Sequence, residues 1–440
     1  MTKQQAPVAQ TTTQSASKTA SQATATEPVV AIIGYGTAGV NALIALRTAG
    51  YKGKVRVFSN ITSLPYSPIL TSYYAGGEKS YEECFPWSAS ELDALDAEVF
   101  GNDPVIELDP KAHLIHTASS SYEYTKCIIA TGATPLCWGF PGADGYEPLV
   151  LRSMNDAERL KVALTNPGCK RVLVSGASMV ALKTLEACLE QGICAALVGM
   201  NPHVLDFNAL PEAAIRFEKG LEEKGVQLLL GQTIKAVQVR EDKVHPLGRR
   251  LEVTFSTGKV EAFDEITVAH GMKCNLDFVE EGSLELEKAL IVDECMRTSN
   301  PDVYAAGDVA QATELISGEK RIVGVWKNAA VQGATAGKVI AAELAGAEIP
   351  SSALYRGSIS TNTIAVKGTL FISAGTMEVT AGRRVEVKED NEMTVVKIVE
   401  DLADGTKRLV GFNLVCDKDE AGGKAYDTGA MLTLCIEKGI

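Results

Sequence analysis

"VVAIIGYGTAGVNALIALRTAG", residues 29–50, decides the fold. Five apolar residues running into a glycine read as a buried strand. The small and apolar residues that follow read as a helix. Gly34, Gly36 and Gly39 complete a G-x-G-x-x-G between the two, the setting that motif requires. The first glycine permits a tight turn, the second lets a pyrophosphate approach the backbone, and the third lets helix and strand pack closely. Backbone N–H groups at the helix N-terminus, around Thr37 and Ala38, then face the phosphates. "KVRVFS" (54–59) supplies the next strand, and strand–helix–strand is the unit of a parallel sheet. The motif also asks for an acid about 20 residues on, to bind ribose hydroxyls. Ser59 and Asn60 stand there; both can hydrogen-bond a hydroxyl, but neither brings a charge.

A second unit of the same shape begins at "RVLVSGASMVALKTLEACLEQG" (171–192), and its next strand is "CAALVGM" (194–200). Its three glycine positions hold Gly176, Ser178 and Ala181. Alanine is tolerated at the third. Serine at the second puts a side chain where the pyrophosphate should come closest. Gly199 and Met200 lie where an acid would recognise the ribose of NAD, or a base the phosphate of NADP. Without that charge a strong, charge-assisted hydrogen bond is lost. Together these changes predict a cost of a few kcal/mol, about two to four decades of affinity.

The rest of the chain fits around these units. Its 440 residues exceed one ordinary core, and 46% apolar with 22% charged residues is a globular composition. A net charge of −13 with no basic stripe excludes a nucleic-acid surface. No apolar run is long enough to span a bilayer. The ten cysteines follow no metal-ligand spacing and mostly sit in apolar runs, which predicts free thiols and a cytoplasmic protein. Residues 1–28 are rich in Ser, Thr, Gln and Ala and read as a disordered tail. "KCIIATGATP" (126–135) and "VYAAGDV" (303–309) each read as a strand entering a turn. Beyond about Leu354, short alternating stretches such as "TIAVKGTLFISAG" predict a mostly antiparallel region, closing with a helix at "AYDTGAMLTLCIEKG" (425–439).

Three further stretches carry a family resemblance: "IIATGATPLCWGFPG" (128–142), "TSNPDVYAAGDVA" (298–310) and "VWKNAAVQGATAGKVIAAELAG" (325–346). In this order and spacing, the chain resembles the pyridine nucleotide-disulfide oxidoreductase superfamily throughout its length after residue 28. The resemblance implies an α/β protein with two Rossmann-like dinucleotide-binding domains, glutathione reductase-like, plus a small α+β C-terminal interface domain. The expected division is a tail at 1–28, an FAD-binding domain at 29–150 and 273–350, an inserted NAD(P)-binding-like domain at 151–272, and the interface domain at 351–440.

By the same resemblance, Gly34, Gly36 and Gly39 cradle the FAD pyrophosphate. Ala130, Thr131 and Gly132 form the crossover turn near the flavin, Asp308 after Gly307 holds the ribityl chain, and Val105 belongs to the same site. The disulfide-reducing branch needs redox cysteines that are missing here. "LPYSPILTS" (64–72) has none before it and is similar to the ferredoxin and rubredoxin reductases and to the NADH-binding half of nitrite reductase. Those enzymes place an aromatic residue, here Trp326, beside the flavin. They also carry a Lys–Glu pair there, whose positions are Ser72 and Lys183 in this chain. Lys183 therefore reads either as a cation beside the flavin and its substrate, or as an exposed helix lysine.

Three functions are open on these residues. The chain is expected to be an FAD enzyme moving electrons between reduced nicotinamide, NAD(P)H, and an acceptor, which could be a small molecule, an electron-carrier protein or a partner subunit. Alternatively it has left nicotinamide behind and acts on a small anionic substrate near Lys183. The third is a flavin-binding assembly subunit with little turnover. The resemblance implies a homodimer or a place in a hetero-complex.

Overall fold

The computed structural model describes residues 27–417. Residues 1–26 of the tail expected at 1–28, and the closing helix expected at 425–439, lie outside the described residues. Seven α-helices are described: α1 Thr37–Thr48, α2 Thr71–Ala75, α3 Ala89–Asp93, α4 Met154–Thr165, α5 Met179–Glu190, α6 Pro211–Glu223 and α7 Trp326–Leu344.

The run Val29–Ile33 is the middle strand of a five-stranded parallel sheet. In spatial order the strands are Val303–Ala305, Lys126–Ile129, Val29–Ile33, Lys54–Phe58 and Glu98–Phe100. Such near-continuous apolar strands belong to a sheet covered on both faces. Val30, Ile32, Ile128, Ile129 and Tyr304 are accordingly buried in one core together with Leu43 and Leu46 of α1. Helix α7 crosses α1 at very short range: a Cβ added at Gly333 would stand 2.1 Å from the Ala38 carbonyl oxygen. That approach brings the start of α7 to the first glycine turn.

A second parallel sheet has the order Gln227–Leu230, Cys194–Gly199, Arg171–Ser175 and Glu265–Val268. Helices α4, α5 and α6 share its core, through Leu160, Leu182, Leu185 and Phe217. Two small antiparallel sheets were not foreseen. They span Val105–Asp109 to Ser121–Glu123, and Ile234–Glu241 to Val260–Phe263. The antiparallel C-terminal region is a five-stranded sheet ordered Thr361–Val366, Thr369–Gly375, Lys407–Asp417, Met393–Asp401 and Arg383–Glu389.

Among the described residues no helix is long and apolar enough to cross a membrane.

Candidate functional site: two glycine turns and the seam between them

Gly34 has φ of +109°, a region closed to side chains, and an added Cβ would lie 2.2 Å from the Ala130 carbonyl oxygen. The first glycine turn is thereby pressed against the crossover turn Ala130–Gly132. Gly36 is the N-cap of α1 and has no side-chain cap; an added Cβ there would meet nothing within 4 Å. No acid occupies the first turn of α1. The helix thus presents free N–H groups, and the positive end of its dipole, to open space. A pyrophosphate fits that cradle. Thr37 and Ala38 are buried beneath it.

The neighbouring residues converge on the first glycine turn. Gly307 lies over Ala38, and its N–H donates to Gln332 Oε1 of α7 at 2.8 Å. Asp308 follows, and its carboxylate accepts from Arg152 Nη2 at 2.8 Å. Arg152 also lies beside the crossover turn, 3.7 Å from a Cβ built at Gly132. This arginine was not singled out from sequence. Its only signal is its position before Ser153, which forms a capping box with Asp156 at the start of α4. Trp326, the first residue of α7, keeps its indole N–H buried without a hydrogen-bond partner. A buried donor left unpaired is costly, so it fits a site completed by an acceptor on a bound group.

Ser59 is buried at the end of the second strand, where its Oγ accepts from Ile61 N at 3.2 Å, while Asn60 is exposed. Asp103 N donates to the Ser59 carbonyl oxygen at 3.2 Å, which leads the chain into the strand bearing Val105. Cys274, on the strand pairing with Ala133–Pro135, donates its thiol to the Asp308 carbonyl oxygen at 3.2 Å. Burial raises the Cys274 pKa, so it rests as a thiol, not as a nucleophilic thiolate.

The second turn repeats the first in backbone. Gly176 has φ of +122°, and an added Cβ would lie 2.5 Å from the Ala269 carbonyl oxygen. It differs in what faces the ligand. Ser178 caps α5 itself, its side chain accepting from Ala181 N at 3.5 Å. Ala181 is fully buried where the first unit has Gly39. Gly199 is enclosed: an added Cβ would stand 3.0 Å from the Ala177 Cβ.

Lys183 is not an exposed helix lysine. Its side chain is only 19% exposed, ion-paired with Glu186, and its ammonium lies 3.9 Å from the centre of the Tyr73 ring. Burial raises the Glu186 pKa above the ordinary carboxylate value, against the pull of Lys183. The adjacent Tyr74 turns the other way. It hydrogen-bonds Glu158 of α4, Lys161 lies 3.8 Å over its ring, and burial together with Glu158 pushes its pKa up to about 12. Helix α2, at the end of the "LPYSPILTS" segment, is therefore bolted to α4 and α5 of the second unit. Gln191, the C-cap of α5, adds a hydrogen bond to the Gly76 carbonyl oxygen at 2.8 Å. Ser72 is buried in α2, with its Oγ 3.5 Å from the Ile69 carbonyl oxygen.

Comparison with known proteins shows the family and the fold. The pyridine nucleotide-disulphide oxidoreductase family matches residues 28–333. The epsilon subunit of NADH-dependent phenylglyoxylate dehydrogenase from Aromatoleum evansii is 27% identical over 371 residues, covering 82% of each chain. Rubredoxin-NAD(+) reductase from Pseudomonas putida is 29% identical over 325 residues, covering 73% of this chain and 81% of that one. In fold, the chain matches the water-forming NADH oxidase from Lactobacillus brevis with a TM-score of 0.80 at 21% identity, covering 93% of this chain and 91% of that one.

Proposed function

This chain belongs to the pyridine nucleotide-disulphide oxidoreductase family and is an FAD-dependent oxidoreductase, and on that premise we propose that it passes electrons from a reduced nicotinamide nucleotide to a carrier protein or partner subunit, without a redox disulfide. The observation that carries the proposal is the first glycine turn, open at Gly36 and uncapped, with Asp308, Arg152 and the unpaired Trp326 indole gathered beside it. Gly34 to Gly39 and the first turn of α1 hold the pyrophosphate. Ala130 to Gly132 line the crossover, Asp308 takes a sugar hydroxyl, and Ser59, Asn60 and Val105 attend the adenosine end. Trp326 shields the reacting group from water. A bound flavin supplies two-electron oxidation of the nicotinamide and one-electron delivery to the acceptor.

The second unit takes the nicotinamide nucleotide at Gly176, Ser178 and Ala181. The domain division is 29–150 with 273–350 for FAD, 151–272 for the nucleotide and 351–440 for an interface. The relatives named as a reductase of rubredoxin and as a subunit of a larger dehydrogenase support an acceptor that is itself a protein. All nine cysteines among the described residues are free, which supports a cytoplasmic setting.

A second reading has its own support in Ser178 and Gly199. The nicotinamide site is then a remnant, and a small anionic substrate reacts near Lys183. Anaerobic titration of the purified protein separates the two. The flavin absorbance that copurifies should bleach on mixing with NADH or NADPH. If only dithionite bleaches it, the second reading stands. A colourless protein that takes up no FAD overturns both.

A further inference from the structure

Helix α7 opens with Trp326 and then carries two polar residues, Asn328 and Gln332, four positions apart and so on one face. Both are almost wholly buried, Asn328 at 5% exposure and Gln332 at 1%. Each holds one of two backbone segments that meet beside the first glycine turn. Gln332 Oε1 accepts from Gly307 N at 2.8 Å, at the residue before Asp308. Asn328 Nδ2 donates to the Val323 carbonyl oxygen at 2.9 Å, in the segment that leads into Trp326. The two segments face each other at Gly324, where an added Cβ would stand 3.4 Å from Asp308 Oδ1.

Both amides answer to a residue outside the helix. Tyr355 lies in the stretch between α7 and the antiparallel sheet, 27 positions after Asn328, and is buried. Its hydroxyl donates to Asn328 Oδ1 at 2.8 Å. Burial raises the Tyr355 pKa, and hydrogen bonds with the side chains of Gln332, Ser358 and Asn328 pull it back. One phenol oxygen thus joins the two amides. A side-chain amide has an acceptor on one side and a donor on the other. The Tyr355 O–H fixes the Asn328 oxygen toward itself and thereby Nδ2 toward Val323. The tyrosine is held in turn from outside the helix, where its N–H donates to the Glu294 carbonyl oxygen at 2.7 Å.

We propose that Tyr355 is a positioning residue for the flavin site: through Asn328 and Gln332 it sets the backbone of Gly307–Asp308 against that of Val323–Trp326. This rests on the reading above that Asp308 and Trp326 border the flavin. Tyr355 acts on the site only through the two amides. In a dry interior each hydrogen bond of such a network polarises the next, so the members act together. Removing the phenol hydroxyl takes the donor from Asn328 Oδ1, and a buried acceptor left unmet favours rotation of the amide. Nδ2 then leaves the Val323 carbonyl, and the segment carrying Trp326 is released. A phenylalanine ring fills the same space, so packing is kept and the orientation is lost.

The flavin-loaded protein tests this with Tyr355→Phe, Asn328→Ala and the two substitutions together. Tyr355→Phe should weaken FAD about tenfold, measured by release of flavin on dilution. The visible circular dichroism of the flavin that remains bound should change shape, because the groups around the ring have moved. The double variant should release FAD no faster than Asn328→Ala alone, since the hydroxyl works through that amide. If Tyr355→Phe lowers Tm but keeps the FAD affinity and circular dichroism of wild type, Tyr355 is packing alone and the proposal is overturned. Losses that multiply in the double variant also overturn it, and both results leave the proposed function standing. Wild type that takes up no FAD overturns the flavin reading and this proposal together.

Discussion

The two glycine turns of this chain share a backbone and differ in what they offer a ligand. Gly34 and Gly176 both take a strongly positive φ, and both press against a carbonyl oxygen from a later strand, that of Ala130 or of Ala269. Each donates its N–H to the neighbouring strand at 2.8 Å, Gly34 to Phe58 and Gly176 to Val198. Beyond that point they diverge. Gly36 leaves α1 uncapped and open, whereas Ser178 closes α5 with its own hydroxyl. A helix that caps itself is more stable alone and less hungry for an anion. The strand–turn–helix frame is thus a requirement of folding, and the anion site is a separate property that a single side chain can weaken.

The largest expected effect tests the shared frame. Gly34→Ala places a methyl on the Ala130 carbonyl at a φ that alanine resists, at a cost on the order of 3 kcal/mol or more. Purified protein should carry little or no flavin. Gly176→Ala should strain the second unit by a similar mechanism, lowering Tm while the flavin content stays near wild type. Loss of flavin in both variants equally would show that the two units do not fold as separable frames.

Next comes the difference between the turns. Ser178→Gly should free the Ala181 N–H at the start of α5 and tighten NADH by about tenfold, read as the Kd for flavin reduction in stopped flow. The reciprocal Gly36→Ser should weaken FAD by a similar factor, measured by release of flavin on dilution. If Ser178→Gly leaves NADH affinity unchanged, the cap is not what separates the turns.

A smaller effect concerns the seam. Lys183→Met removes the ammonium from the Tyr73 ring and leaves Glu186 without its partner, so Tm should fall, by about 1–2 kcal/mol of stability. The smallest is a pH dependence. The folded-state pKa of Glu186 is raised by burial, so its contribution is fully present below about the ordinary 4.5 and is lost as pH rises through the raised value. Glu186→Gln should lack that decline, so the stability gap between variant and wild type should shift in favour of the variant from pH 4.5 upward. A gap that stays constant with pH would remove Glu186 as the titrating group.

Much of the fold was legible because parallel strands buried on both faces are written as unbroken apolar runs, as at Val29–Ile33 and at Val172–Val174 within the second unit's first strand. The half-exposed strands of the small antiparallel sheets, such as Ile234–Glu241, carry too few apolar residues to stand out. The candidate site was legible wherever a glycine was obligatory. Arg152 was not, because a charged residue near a turn has no period and gains its meaning from a partner 156 residues away.

Sequence by itself determined that two strand–glycine–helix units exist and that an antiparallel region follows them, since local periodicity and backbone sterics act over a few residues. It also exposed the substitutions at Ser178, Ala181 and Gly199. Only the tertiary structure decided what those substitutions do. Ser178 turned out to be a helix cap, Gly199 an enclosed position, and Lys183 half of a clamp that binds α2 to α5. Hydrogen bonds, ring contacts and burial arise between segments far apart in the chain, and their meaning appears only when packing brings those segments together.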